Sequence, residues 1–286
     1  MAANSTSFHS VGCLRRKSNL LVALLLFLVP AISAQEASVS MKIDLVAWGD
    51  KVTGLSLKSG ESKGTLTALS FRYSAPVTYS GPALMEIHKA GGDVTSNAPE
   101  LSAEDKAHQL MPLLESPAEA ASSDAAKLTQ GLALELEKRR VKDPTLVALA
   151  ALPPSGCQRA TVLLAPADAG TFIAYVIDDD PGKLPLGKMR LHNLSPVPIS
   201  VRCNGKVSKE LKTREAFVVP AENGQIIYEL AYKLGDEWKM QENNVIPVRD
   251  TEQTQMIVLK STNSFFLSSD GGGGGGGFRQ VVTLRR

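Results

Sequence analysis

The stretch PISVRCNGKV, residues 198–207, decides the fold class of this chain. Ile199 and Val201 alternate with polar neighbours, which is the two-residue period of a strand with one buried face. The Asn-Gly pair at 204–205 follows directly. Both central residues of a type I′ turn need a positive φ, and Asn-Gly is the pair that favours this turn. We therefore expect a β-hairpin here.

Strand patterns of the same kind surround this hairpin. They lie at 188–193, 216–219, 225–234, 237–240, 255–259 and 278–284. About seven short strands separated by turns are typical of an immunoglobulin-like sandwich. We assign one such antiparallel β-sandwich domain to residues 183–286.

The first half of the chain shows similar alternation. Strand patterns lie at 43–48, 54–57, 66–71 and 83–87, and again at 160–165 and 171–177. The last two form a predicted hairpin that returns to the first sheet. The sequence therefore predicts an all-β protein of two small antiparallel β-sandwich, immunoglobulin-like domains, with residues 35–182 as the first domain.

An insertion at about 98–152 interrupts this pattern, because Ala, Leu, Glu and Lys dominate it and aromatic residues are absent. Leu128, Leu132 and Leu136 would share one face of an amphipathic helix, although Gly131 weakens that helix. We expect a helical or disordered surface insertion. A partner-binding helix is the alternative.

Residues 1–34 have the pattern of a cleavable secretory signal. Arg15, Arg16 and Lys17 precede the apolar run LLVALLLFLV at 20–29, and small residues follow up to Ala34. That order matches a signal peptide. The run is about half the roughly twenty residues that a spanning helix needs. We predict an exported protein of the periplasm, cell envelope or extracellular space, with no transmembrane segment after cleavage.

The charge balance argues against a nucleic-acid partner. The chain has 31 basic and 29 acidic residues, and the predicted signal contains three basic residues and no acidic one. Its removal leaves one more acidic than basic residue. Nucleic-acid binding needs a concentrated basic surface, which this composition does not provide.

Two cysteines, Cys157 and Cys203, remain after signal removal. An even number in an oxidising compartment allows one disulfide. The spacing does not force the pair together, so two free thiols stay the alternative.

The acidic cluster Asp178, Asp179 and Asp180 is the only candidate for a metal site. Its carboxylates could bind a hard cation such as Ca²⁺, but the ligand pattern of a calcium loop does not follow. Aspartates before a Pro-Gly step are typical of a solvated turn. We therefore predict a turn here, with no metal and no cofactor.

No catalytic residue can be assigned from the sequence. His88, His108 and His192 do not have metal-ligand spacing, and no Gly-x-Ser-x-Gly elbow is present. Ser195 lies three residues after His192, but a Ser-Pro step at the edge of a strand is typical of a turn. The glycines at 271–277 precede a predicted strand, whereas a phosphate-binding loop precedes a helix, so they predict a flexible linker.

Residues 177–195 (IDDDPGKLPLGKMRLHNLS), with YSGP at 79–82 and GDEW at 235–238, resemble uncharacterised exported bacterial proteins. The resemblance extends over most of the mature length, and the insertion and the glycine run depart from it. It implies two tandem β-sandwich-like domains and an envelope location. It implies no activity.

These observations favour a non-enzymatic β-sandwich protein that acts as a binding or structural module of the periplasm or cell envelope. An envelope protein or a glycan is the expected partner. The alternative is an exported hydrolase whose site is assembled between the two domains.

Overall fold

Strands make up most of the computed structural model, which describes residues 38–58, 64–90, 124–153, 156–260 and 279–286. The strands are β1 (Ser38–Ala47), β2 (Val52–Leu57), β3 (Leu66–Ser70), β4 (Val77–Pro82), β5 (Leu84–Lys89), β6 (Leu146–Ala151), β7 (Arg159–Pro166), β8 (Phe172–Asp178), β9 (Lys188–Asn193), β10 (Ile199–Cys203), β11 (Val207–Leu211), β12 (Ala216–Pro220), β13 (Gln225–Leu234), β14 (Glu237–Pro247), β15 (Gln253–Lys260) and β16 (Arg279–Arg285). Helix α1 (Asp124–Arg140) lies between β5 and β6. The mostly-β prediction is therefore confirmed. The predicted signal, the glycine run and residues 98–123 of the insertion lie outside the described residues.

The first half of the chain forms one eight-stranded sheet. Its order is β6-β5-β2-β3-β1-β7-β8, and β4 pairs with β1. The terminal strands β6 and β8 contact each other, so the sheet is nearly closed like a barrel. Val39, Met41, Ile43 and Leu45 alternate along β1 and lie in the core inside this curved sheet.

The second half forms two four-stranded sheets. We call β12-β9-β15-β16 the middle sheet and β11-β10-β13-β14 the outer sheet. Met256 and Val258 on one face of β15 belong to a core shared with the outer sheet. Ile257 and Leu259 on the opposite face pack against the barrel-like sheet. The middle sheet is therefore covered on both faces, and all described residues belong to one compact unit, residues 37–286.

The strand pairing corrects part of the prediction. We expected antiparallel sandwiches, but β1 is parallel to β3 and to β7, and β9 is parallel to β15. Alternation of side chains shows which face of a strand is buried, but it does not show the direction of the neighbouring strand. The curved mixed sheet thus differs from the sandwich predicted for residues 35–182.

The insertion is partly helical, as expected, but it also contains a strand. Leu132 and Leu136 of α1 pack against Leu146 and Leu149, which lie in β6. Residues 146–151 were predicted as insertion, so their place in the barrel-like sheet is a correction. No helix in the described part of the chain is long and apolar enough to cross a membrane.

The hairpin at 204–205 is confirmed. Asn204 and Gly205 have φ values of 52° and 65°, and the Lys206 amide donates a hydrogen bond to the Cys203 carbonyl over 3.1 Å. The turn joins β10 to β11, which pair antiparallel.

Candidate functional site

A cavity of about 230 Å³ lies between strand β8 and the middle sheet. Its lining residues are Tyr175, Val176, Ile177, Asp178, Arg190, His192, Leu194, Arg214 and Ala216. The first four belong to β8 and the rest to β9, β12 and their connections. The cavity is therefore built by segments on both sides of the domain boundary predicted near residue 182.

The pleat of β9 brings two basic side chains to this cavity. Met189 and Leu191 point into the core shared with the outer sheet. Arg190 and His192 alternate with them, and both line the cavity. A strand with one face in an apolar core presents its other residues to whatever covers the opposite face, which here is β8.

His192 is an uncharged imidazole in this setting. It is 5 % exposed, and burial, with a further contribution from the charge of Arg190, lowers its pKa to about 3. Its Nε2 atom is buried, and an interaction with the Gln255 side chain opposes the shift by raising the pKa. The side chain thus contributes a ring without charge to the lining.

Arg214 is held in an unusual conformation. Its φ is 66°, a left-handed value that costs a non-glycine residue roughly 1–2 kcal/mol. Its backbone N–H donates to the Asn193 carbonyl (2.6 Å), and its Nη2 donates to Thr129 Oγ1 on helix α1 (2.7 Å). The guanidinium also lies 5.6 Å from the centre of the Tyr175 ring. Strained residues of this kind concentrate at functional sites.

The Arg214 charge is poorly compensated. Burial lowers the pKa of its guanidinium, but arginine still stays protonated in proteins. Its Nε atom is buried without a hydrogen-bond partner among the described residues. The aromatic ring of Tyr175 provides a weak cation–π contact rather than a counter-ion.

Arg190 also lacks a carboxylate partner in the described part of the chain. Its Nη1 donates to the backbone carbonyl of Asp178 over 2.7 Å. The Asp178 carboxylate instead pairs with Lys183 and accepts a hydrogen bond from Cys157 Sγ (3.2 Å). Burial raises the pKa of Asp178, but the bonds from Lys183 and Cys157 outweigh it and lower that pKa. Two cations and one carboxylate that is already paired therefore line the cavity.

The three consecutive aspartates do not form a shared site. The Asp179 carboxylate accepts hydrogen bonds from Thr161 Oγ1 (2.7 Å), Gln255 Nε2 (2.5 Å) and Arg286 Nη1 (2.8 Å). Asp180 Oδ1 accepts from the Gly182 backbone N–H (3.0 Å), which is the turn predicted from the sequence. In the residues that the structure describes, no group of three or more His, Cys, Asp or Glu side chains could hold a metal.

A buried ionic network, which we call the Asp44 clasp, lies between the barrel-like sheet and β16. Asp44 accepts two hydrogen bonds from Arg159 (2.6 and 2.9 Å) and one from Arg286 (2.7 Å). Arg286 also reaches Asp179, and its guanidinium lies 4.1 Å from the centre of the Tyr73 ring. These two carboxylates are fully engaged by protein donors, so their role is to hold the sheets together.

Neither cysteine has the exposed position or the lowered pKa of a nucleophile. Cys157 and Cys203 are free and buried, and no disulfide joins them in this structure. They belong to different cores, one inside the barrel-like sheet and one between the middle and outer sheets. Burial raises the pKa of each thiol to about 11, and an un-ionised thiol is a poor nucleophile.

The remaining sequence candidates lie apart from the cavity. Ser195 Oγ donates to Asn193 Oδ1 (2.7 Å) and is a buried turn residue, as predicted. His88 Nδ1 lies 3.1 Å from Thr145 Oγ1, beside Glu86. His108 lies outside the described residues.

No protein-family model matches the chain, and no curated protein matches it. What the cavity can bind is therefore inferred from its geometry alone.

The sequence analysis named His192 but gave it no role, and it named neither Arg190 nor Arg214. Alternation along 188–193 could have placed Arg190 beside His192, whereas nothing in the sequence marks Arg214.

Proposed function

We propose that this protein is an exported, non-enzymatic binding module of the periplasm or cell envelope, whose ligand occupies the cavity between β8 and β9. The observation that carries this proposal is that Arg190 and Arg214 line one cavity, while their guanidinium groups donate to a backbone carbonyl and a hydroxyl rather than to a carboxylate. A partly buried charge without a counter-ion is costly, because water solvates it incompletely. A ligand that supplies acceptors for these two groups would recover part of that cost.

The cavity volume limits the size of this ligand. At about 230 Å³ the cavity is below the roughly 300–1,000 Å³ of drug-sized sites. It suits a small molecule, or one side group of a larger envelope protein or glycan.

Export and domain organisation are part of the same proposal. The signal-like pattern at 1–34 supports export. For residues 183–286 we propose an immunoglobulin-like sandwich, supported by the single core that the middle and outer sheets share. Residues 35–182 would then be the other domain, which covers the opposite face of the middle sheet.

A hydrolase is less well supported, although the cavity does lie between the two predicted modules. Hydrolysis needs a nucleophile or a pair of available carboxylates. Asp44 and Asp179 do converge, but arginine side chains occupy both. Of the described residues that line the cavity, Asp178 is the only acid, and Lys183 is already paired with it.

The test is ligand capture with a variant that fills the cavity. Protein produced from the full-length sequence is dialysed against the small-molecule fraction of an envelope extract, and depletion is followed by mass spectrometry. We expect depletion of a specific compound by the wild type and none by Ala216→Phe, whose ring would occupy the cavity. Val218→Phe is the matched control, because Val218 is an exposed residue on the same strand outside the cavity lining.

Two results would overturn the proposal. One is equal depletion by wild type and Ala216→Phe, which would place binding elsewhere. The other is the absence of any depleted compound while circular dichroism shows all three proteins folded.

A further inference from the structure

We infer that the ligand is a small organic acid whose carboxylate lies between Arg190 and Arg214, with its apolar body against β8. This inference rests on the proposed function, because it names the chemical class that the cavity would take. It depends on charge, on the composition of the lining and on volume.

The charge argument concerns two cations without counter-ions. Arg190 and Arg214 both line the cavity, and the hydrogen bonds of their guanidinium groups go to a backbone carbonyl and a hydroxyl. No carboxylate of the described residues forms an ion pair with either. Arg159, at a similar depth, has such a partner in Asp44, whereas Arg140 of helix α1 also lacks one among the described residues and donates to the Ala169 carbonyl.

Partly buried cations without counter-ions are costly, because water solvates them incompletely. Each arginine has five N–H donors in a planar fork that matches a carboxylate. Arg190 and Arg214 use only part of that capacity within the described protein. An incoming carboxylate would supply both the missing charge and the missing acceptors.

The remaining lining favours an organic body over an inorganic anion. Val176, Ile177 and Leu194 contribute to the wall of the cavity, and apolar side chains stabilise apolar ligand surface. His192 adds a ring without charge. Asp178 is also part of the lining, but Lys183 already pairs with its carboxylate, so the apolar wall is the feature that favours an organic acid over phosphate.

The volume gives the expected size. An apolar protein cavity of about 150 Å³ takes one benzene ring, so a cavity of about 230 Å³ has room for a single ring with a carboxylate. A carboxylate with a short aliphatic or single-ring body has this size.

The test uses two acid and amide pairs as probes, benzoate with benzamide and isobutyrate with isobutyramide, and inorganic phosphate as a fifth probe. Each amide has the size of its acid without the charge. Binding to the protein from the full-length sequence is measured by isothermal titration calorimetry and ligand-observed NMR. We expect at least one acid to bind about tenfold or more tightly than its amide and than phosphate, as loss of a charge-assisted hydrogen bond would produce.

The arginine variants locate the binding. Arg190→Gln and Arg214→Gln should each weaken binding of the acid about tenfold or more. Arg202→Gln is the matched control, since Arg202 is a solvent-exposed arginine of the outer sheet that pairs with Glu229, and it should leave affinity unchanged. Arg190→Lys keeps the charge and should lose less than Arg190→Gln. Thermal melting verifies that each variant is folded.

Three results would overturn the carboxylate inference: both amides binding as tightly as their acids, phosphate binding as tightly as the acids, or unchanged acid affinity in both folded glutamine variants. Its failure is distinguishable from failure of the proposed function. A neutral compound from the envelope extract that binds the wild type but not Ala216→Phe would refute the acid and retain the cavity as a ligand site.

Discussion

Protonation of His192 should destabilise the fold below neutral pH. Burial first, and the charge of Arg190 second, lower the pKa of this imidazole from 6.5 to about 3 in the folded protein. The unfolded chain therefore binds a proton below about pH 6.5 that the folded protein excludes until about pH 3. The stabilisation is fully present above pH 6.5 and is lost progressively as the pH falls towards 3.

The magnitude follows from the size of the shift. Each pH unit within that window costs about 1.4 kcal/mol. Between pH 6.5 and 4.5 the loss from His192 alone is therefore about 2–3 kcal/mol. This is a large part of the roughly 5–15 kcal/mol by which a typical folded protein is stable.

The assay compares the wild type with His192→Gln, which keeps a polar side chain that does not titrate. Urea unfolding at intervals from pH 7 to 4.5 gives the free energy of unfolding of each protein. Carboxylates titrate in both proteins, so the difference between the two curves isolates His192. We expect the wild type to lose about 2–3 kcal/mol more than the variant over that range.

Two measurements could refute this reasoning. Parallel stability curves would show that His192 protonates equally in the folded and unfolded states. An NMR titration of the His192 ring protons with a midpoint near pH 6.5 would show directly that burial does not lower its pKa.

Three further outcomes follow from the same structure. Asp44→Asn should lower the free energy of unfolding by about 3–5 kcal/mol, because it leaves two partly buried arginines without their carboxylate, and an unchanged urea midpoint would contradict the Asp44 clasp. Arg214→Gln should change that free energy by no more than about 1 kcal/mol, since loss of the Thr129 hydrogen bond and the Tyr175 contact is offset by removal of a poorly compensated charge, and a larger loss in urea unfolding would indicate a structural role. Cys157 and Cys203 should react with a thiol reagent in denaturant, as two thiols per processed chain, and only slowly in the native state; no reactive thiol in denaturant would indicate a disulfide.

Local features of the fold were predictable because short-range sterics determine them. Asn204 and Gly205 tolerate the left-handed conformation that their turn needs. Helix α1 agrees with the helical one of the two alternatives given for the insertion, and Leu132 and Leu136 pack as the spacing predicts, although Leu128 is exposed. In both cases the residues that specify the structure are neighbours in the chain.

Features that depend on distant partners were not predictable in this way. The composition of β6, LVALAA, suits a helix as well as a strand, and only its pairing with β5 makes it a strand. Pairing between strands that are remote in sequence decides this case.

The candidate site contains residues placed by the local strand pattern and one residue placed by distant contacts. β15 has buried residues on both of its faces, so β9 beside it is covered on both faces as well. Polar residues on such a strand must lie between two layers, and this reasoning places Arg190 and His192 at a contact between sheets. Arg214 differs, because its position depends on a left-handed backbone and on a contact with α1. The positions of Arg190 and His192 in β9 can therefore be inferred from the strand pattern. The position of Arg214 cannot, because it depends on how the two predicted modules pack.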